Sequence, residues 1–279
     1  MRIVFLLALF SAGLDFAQTP RITISTPADW RAQASGLLQN SLEDKNPETR
    51  RHAVQSLGLV SAAEPWLSQL EAMLGDKDVE VRLAAVSSLL DLKSAGTVVA
   101  LHKALESDVP EVSFAAAKAL WTLGDPAGRE ALESVLSGET KAASGFFTRQ
   151  KRDALRMLHT PKTAFLFALV QSVNLVPVPG IGAGVSSLQG ILSDGSVSGR
   201  AVAALLLSTE KSLAVLQALR DALTDSDWPV RAAAVHAIAV RNDPALTADL
   251  APLLEDKKEA VRVRAAAGYL RLDALRGIR

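Results

Sequence analysis

A spaced motif returns six times along this chain, and nothing else in the sequence restricts the fold as much. Its anchor pairs are Thr49-Arg50, Val81-Arg82, Val112-Ser113, Gly199-Arg200, Val230-Arg231 and Val261-Arg262. Four residues after the first member stands alanine in every copy: Ala53, Ala85, Ala116, Ala203, Ala234 and Ala265. Eight residues after it come Leu57, Leu89, Leu120, Leu207, Ile238 and Tyr269; five before it come Asp44, Asp76, Ser107, Asp194, Asp225 and Asp256. Self-similarity at this period signals an array of small structural units.

Within one copy, Val81, Ala84, Ala85, Ser88, Leu89 and Leu92 fall at helical intervals and make one stripe. Its small members let a neighbouring helix approach, and its large members fill the remaining volume. A companion helix is expected upstream of each stripe, at Trp66–Leu74, Val98–Leu105, Ala127–Leu136, Leu213–Leu223 and Leu246–Leu254. One such hairpin cannot bury its apolar face alone, but stacked hairpins can. The expectation is an all-α solenoid, a superhelix of stacked helical hairpins, in which deleting terminal units lowers stability stepwise. Proline marks the breaks, at Asn46-Pro47, Val109-Pro110, Gly124-Asp125-Pro126 and Trp228-Pro229. The recurrent Asp sits in the turn between paired helices, where it can accept from backbone N–H groups. Arg recurs in five of the six copies, so Arg and Asp can alternate along the stack as a ladder.

The pattern resembles the HEAT repeat, and more narrowly the short bacterial form also found in phycobilisome-lyase-type proteins. The residues that carry the resemblance are Asp76 to Leu89, echoed at Asp225 to Ile238 and Asp256 to Tyr269. The whole chain is also similar to a group of secreted bacterial HEAT-repeat proteins with a Gly/Pro-rich middle segment. The resemblance implies a fold and a binding surface, with no particular activity.

Composition narrows the function classes. Thirty basic and thirty acidic side chains among 279 residues give no net charge, which disfavours nucleic acid as a bulk electrostatic partner. Absence of cysteine excludes disulfides and thiolate metal sites. An apolar content of 49% without net charge excludes general disorder.

The chain opens with Met1-Arg2, an apolar run from Ile3 to Phe10, and small residues before Ala17-Gln18. This is the layout of a signal peptide over 1–17, and the run is too short to span a bilayer. The cut could lie nearer Ala12, and a buried first helix is the competing reading. Residues 18–28 then read as a linker and 29–279 as the solenoid. The expected location is periplasmic or extracellular.

Residues 163–193 carry no charged side chain and pass through Val176-Pro-Val-Pro-Gly-Ile-Gly-Ala-Gly184. A packed insertion, a partner-binding loop that includes Pro179, Gly180 and Ile181, a membrane-dipping hairpin and a phosphate cradle all compete here. The last lacks its third glycine, since Val185 stands there. A basic cluster from Arg149 to Lys162 precedes it and reads as a solvated helix or an anion-facing patch.

Catalytic constellations are scarce. His52, His102, His159 and His236 are never followed by Glu, so the His-Glu pairs of HEAT-repeat iron hydroxylases are missing from the sequence. Asp76, Asp78 and Glu80 imitate a calcium loop but have Val81 where glycine belongs. Ser208-Thr-Glu-Lys211 matches S-x-x-K without the Lys-Thr-Gly element that accompanies it. The sequence therefore points to a non-enzymatic, cofactor-free scaffold that binds a protein or peptide on its concave surface. A lyase-like enzyme or enzyme accessory, and a peripheral membrane protein using 163–193, are the alternatives. Candidate partner-binding residues are Arg82, Arg200, Arg231 and Arg262, as a row of donors, and Trp228 beside its turn proline, with Pro179, Gly180 and Ile181.

Overall fold

The computed structural model describes residues 26–61, 63–137 and 198–278. Pro179, Gly180, Ile181, His159 and the leader lie outside them, as does most of the 18–28 linker. The described residues form α1 (Pro27–Leu42), α2 (Pro47–Val60), α3 (Trp66–Ala72), α4 (Val79–Leu92), α5 (Ala95–Leu105), α6 (Pro110–Thr122) and α7 (Pro126–Ser137). After the gap come α8 (Gly199–Leu206), α9 (Leu213–Ala222), α10 (Trp228–Ala239), α11 (Thr247–Leu250) and α12 (Glu259–Ala274). Short 3-10 turns extend α3, α8, α11 and α12. No strand occurs among the described residues.

Local chemistry sets the helix starts. Thr26 and Asp29 form a reciprocal capping box: the Thr26 N–H donates to Asp29 Oδ2 at 2.7 Å, and Thr26 Oγ1 accepts from the Asp29 N–H at 3.3 Å. The first helix thus begins at Pro27, two residues inside the expected linker. Asp78 caps α4 by accepting from the N–H groups of Glu80 and Val81. Proline opens α2, α6 and α7, where its missing N–H would have no intrahelical partner anyway. Between α6 and α7, Gly124 takes a positive φ of 80°.

The stripe helices pack side by side. The contacts run α8 to α10, α10 to α12, α12 to α2, α2 to α4 and α4 to α6, and α7 closes on α6. Ala53, Ala85, Ala116, Ala234 and Ala265 are wholly buried, as are Leu57, Leu89, Leu120 and Ile238. Small residues permit the approach. Ser88 Oγ of α4 donates to the Val54 carbonyl of α2 at 2.9 Å. A Cβ on Gly128 would come within 2.2 Å of the Trp121 backbone nitrogen, so α7 can cross α6 only with glycine there.

Chain order and spatial order differ. The C-terminal helix α12 packs on both α1 and α2, so the last hairpin sits beside the first. In space the row reads α8, α10, α12, α2, α4, α6, with α7 beyond. Ser137 belongs to one end and Gly199 to the other. Polar contacts fasten this seam: Arg31 pairs with Asp273, His52 Nδ1 lies 3.1 Å from Glu259 Oε2, and Arg271 Nη1 donates to the Leu59 carbonyl at 2.8 Å. One apolar core runs through both halves. The last unit in sequence is therefore a central one in space, so deleting it would remove a middle unit of the described row and not an end one.

The stripe also fails in one copy. Ala203 and Leu207 are exposed, while α8 buries Ala201, Val202, Ala204 and Leu205 instead. Among the described elements α10 is its principal neighbour, so the face turned away from α10 is uncovered. Leucine at Ala85 or Ala234 should overpack a helix contact and cost about 1–3 kcal/mol. Leucine at Ala203 should change stability by no more than about 0.5 kcal/mol. Urea unfolding of the three variants measures the contrast.

Candidate functional site

The recurrent arginines form a ladder that points one way along the row. Arg50 Nε and Nη2 each donate to an Asp76 carboxylate oxygen at 2.7 Å. Its Nη1 donates to the carbonyls of Asp44 at 2.8 Å and Lys45 at 3.2 Å. Arg231 repeats this: Nε and Nη2 donate to Asp256 at 2.7 and 2.8 Å, and Nη1 donates to the carbonyls of Asp225 at 2.8 Å and Ser226 at 3.2 Å. Each arginine thus ties its own turn to the turn of the next unit. The paired aspartates also hold their turns, as Asp76 Oδ1 accepts from the Asp78 N–H and Asp256 Oδ1 from the Lys258 N–H, both at 2.8 Å.

Electrostatics follows geometry. The bond from Arg50 holds Asp76 below the usual carboxylate value against the opposing effect of burial. At Asp256 burial pushes upward, but the Arg231 bond and the Lys258 N–H outweigh it and the net shift is down. Both carboxylates therefore stabilise the fold above the ordinary value of 3.8, and that contribution is lost as acid drives pH through the lower folded value.

These positions revise the row of open donors. Arg231 is only 4% exposed and fully engaged, so it belongs to the scaffold and cannot wait for a partner. Arg82 donates to Asp108 at 3.1 Å because Ser107 occupies the usual aspartate place. Arg200 pairs with Asp225 but has an exposed side chain. Arg262 donates to the carbonyls of Asp256 at 2.8 Å and Lys257 at 3.4 Å, and has no carboxylate partner among the described residues. The ladder therefore has its gap at the seam, where α2 follows α12.

Trp228 is likewise not an open loop residue. It begins α10, is half-buried against the core, and has Lys258 Nζ 4.7 Å from its ring centroid. The exposed tryptophan is Trp121 on α6, at 58%. A groove between units is lined by Glu71, Arg82, Lys103, Glu106 and Asp108; Lys103 pairs with Glu71 and Arg82 with Asp108, each at 3.1 Å, which leaves Glu106 as a further acidic side chain in the lining. Ser208 is buried in a 3-10 turn and Lys211 is exposed. Among the described residues no three His, Asp or Glu side chains gather as metal ligands, and no helix is long and apolar enough to cross a membrane.

Sequence reasoning missed a second polar feature at the seam. Arg264 and His236 are almost wholly enclosed, and Gln55 is buried on the adjoining helix α2. Burial pushes His236 down to about 3, with the charges of Arg264 and Arg271 adding to it. The available signal was the alignment itself. Arg264 stands where other copies have Ala84, Ala115 or Ala233.

Comparison with known proteins agrees with this repeat geometry. A family model described as HEAT repeats matches residues 67–143 and 186–271, more than half of the chain. The chain belongs to the HEAT-repeat family. No curated protein matches it. Among solved structures it is similar to human deoxyhypusine hydroxylase in complex with glycerol, at 18% identity and a TM-score of 0.32, over 88% of this chain and 97% of that one.

Two outcomes test the HEAT ladder and its surroundings. Arg231→Ala removes one partner of a buried pair and should cost about 3–5 kcal/mol. Arg200→Ala, at an exposed pair, should cost no more than about 1 kcal/mol. Denaturant midpoints distinguish them. For His236 the folded value lies below the ordinary 6.5, so the unfolded chain takes up the proton first. Stability is then full above 6.5 and falls as pH drops toward about 3. Unfolding measured at about pH 7.5 and about pH 5 should show a drop that is smaller in His236→Gln.

Proposed function

We propose that this HEAT-repeat protein is a non-enzymatic, exported scaffold that holds a protein partner on its concave surface. The observation that carries the reading is Trp121, a large aromatic left 58% exposed on a helix whose other face is locked in the core. Exposed tryptophan on a rigid element is the residue type that most often anchors a protein interface. The ladder supports the same reading, because it commits the recurrent charges to holding units together and leaves the varying positions as the recognition surface. Arg82, Arg200 and Arg262, each at least partly exposed, stay open to polar contacts at other points along the row; Arg231 does not.

The basic start and short apolar run from Met1 to Phe10 support export. They also favour kinship with the secreted bacterial HEAT proteins over the phycobilisome-lyase type, whose chromophore attachment is cytoplasmic work. Trp121→Ala should leave the unfolding midpoint within about 0.5 kcal/mol of the parent and weaken partner retention by tenfold or more, about 1.4 kcal/mol. Affinity capture from the cell envelope with parent and variant measures this. Vigorous hydrolase turnover by the pure protein, with no envelope protein retained, would overturn the reading.

A further inference from the structure

The groove between units opens where two helices end. Helix α3, with its Met73–Gly75 3-10 turn, supplies Ala72, Leu74 and Gly75 to the lining, and the end of α5 supplies Ala104 and Glu106. Helix C-termini carry spare carbonyls and the negative end of the macrodipole, so a groove at two of them favours a cation. Its volume is about 780 Å³, comparable to pockets that hold small ligands.

The side chains add to that sign. The lining sets Glu71, Glu106 and Asp108 against Arg82 and Lys103. Lys103 Nζ donates to Glu71 Oε2 and Arg82 Nη1 to Asp108 Oδ1, so each pair engages one carboxylate oxygen and leaves the other open. Glu106 is exposed, and nothing engages its carboxylate among the described residues. The Asp108 side chain is 87% exposed and that of Glu71 28%, so the acids run from the rim inward. The ladder explains the imbalance. Ser107 takes the place that aspartate holds in the other five copies, and Arg82 meets Asp108 at the rim instead. Residues 63–137 carry twelve acidic and six basic side chains in a chain with no net charge, so the field over this stretch is negative.

We infer that this groove docks a basic segment of the protein partner, with a lysine or arginine side chain laid along it. The cationic head meets Glu106 and the open oxygens of Glu71 and Asp108. The methylene stem lies on Ala72, Leu74 and Ala104, which make the lining partly apolar. The sign is opposite to the one a row of open arginines would select, because the ladder engages the buried arginines internally and leaves carboxylates for the partner. The inference rests on the scaffold reading and adds the partner's charge to it.

Fluorescence anisotropy of the full-length protein tests this with a labelled lysine–serine peptide and its glutamate–serine counterpart. Saturable binding of the lysine peptide and none of the glutamate peptide is expected. Glu106→Lys should weaken the lysine peptide at least about tenfold, since a like charge then meets the incoming head. Glu255→Lys makes the same charge change at the same repeat position, two units away along the row. It should leave the affinity within about twofold, because exposed charges beyond a Debye length are screened. Gly75→Leu, where an added Cβ meets nothing within 4 Å, should fold normally and weaken binding by filling the groove. No binding of the lysine peptide, equal binding of the glutamate peptide, or equal loss in Glu106→Lys and Glu255→Lys overturns the inference. Envelope capture is the separate readout for the scaffold. Groove-dependent peptide binding with no partner retained removes the scaffold reading alone, and a retained partner without groove-dependent peptide binding removes the groove alone.

Discussion

The structure depends on burial of one helix stripe by the next unit. An isolated hairpin of this sequence would expose Ala85, Leu89 and their equivalents, and each of those residues is covered only because a neighbouring stripe helix lies against it. Alanine at the fixed position sets how near the helices come, and leucine four residues on fills the space that results. At α8, which has a stripe helix on one side only among the described elements, Ala203 and Leu207 turn to the outside although their sequence positions are the same. Burial here is a property of the pair, and no single unit possesses it.

The arginine ladder adds direction to that non-specific packing. Apolar stripes would tolerate sliding by a turn, but a guanidinium that must reach both oxygens of one aspartate and two carbonyls of its own turn accepts a single register. Arg50 and Arg231 are buried by the units they join, which strengthens the bond and makes loss of either partner expensive. At the seam the same device is absent. Arg262 keeps its two turn carbonyls, and the junction of α12 with α1 and α2 relies on different contacts, among them Arg31 with Asp273 and His52 with Glu259. The seam also encloses Arg264, whose Nε and Nη1 lack a hydrogen-bond partner among the described residues, so the place that joins the halves is chemically the least like a repeat.

Much of the candidate site was legible before any coordinates. The companion helices, the proline breaks and the internal pairing of Arg with Asp follow from spacing and turn chemistry, which are local. The availability of Arg231 and the exposure of Trp228 did not follow, because both depend on what the adjoining unit places over them: Asp256 in one case and Lys258 in the other. Trp121 carried no signal at all, since an aromatic residue on a helix reads equally as core or surface. Arg264 carried one, a charge where its counterparts are alanine, but its meaning required the helices on either side.

The sequence by itself determined the unit: two helices, a stripe of small then large residues, and a turn whose aspartate meets an arginine. Those features lie within about one repeat of each other, and helical period and capping chemistry act over that range. Only the tertiary structure decided the order of the units, placing the last hairpin beside the first and Ser137 and Gly199 at opposite ends of the described row. The physical reason is that every unit offers nearly the same stripe to its neighbours. Interfaces that resemble one another so closely do not reveal, from composition or spacing, which one meets which.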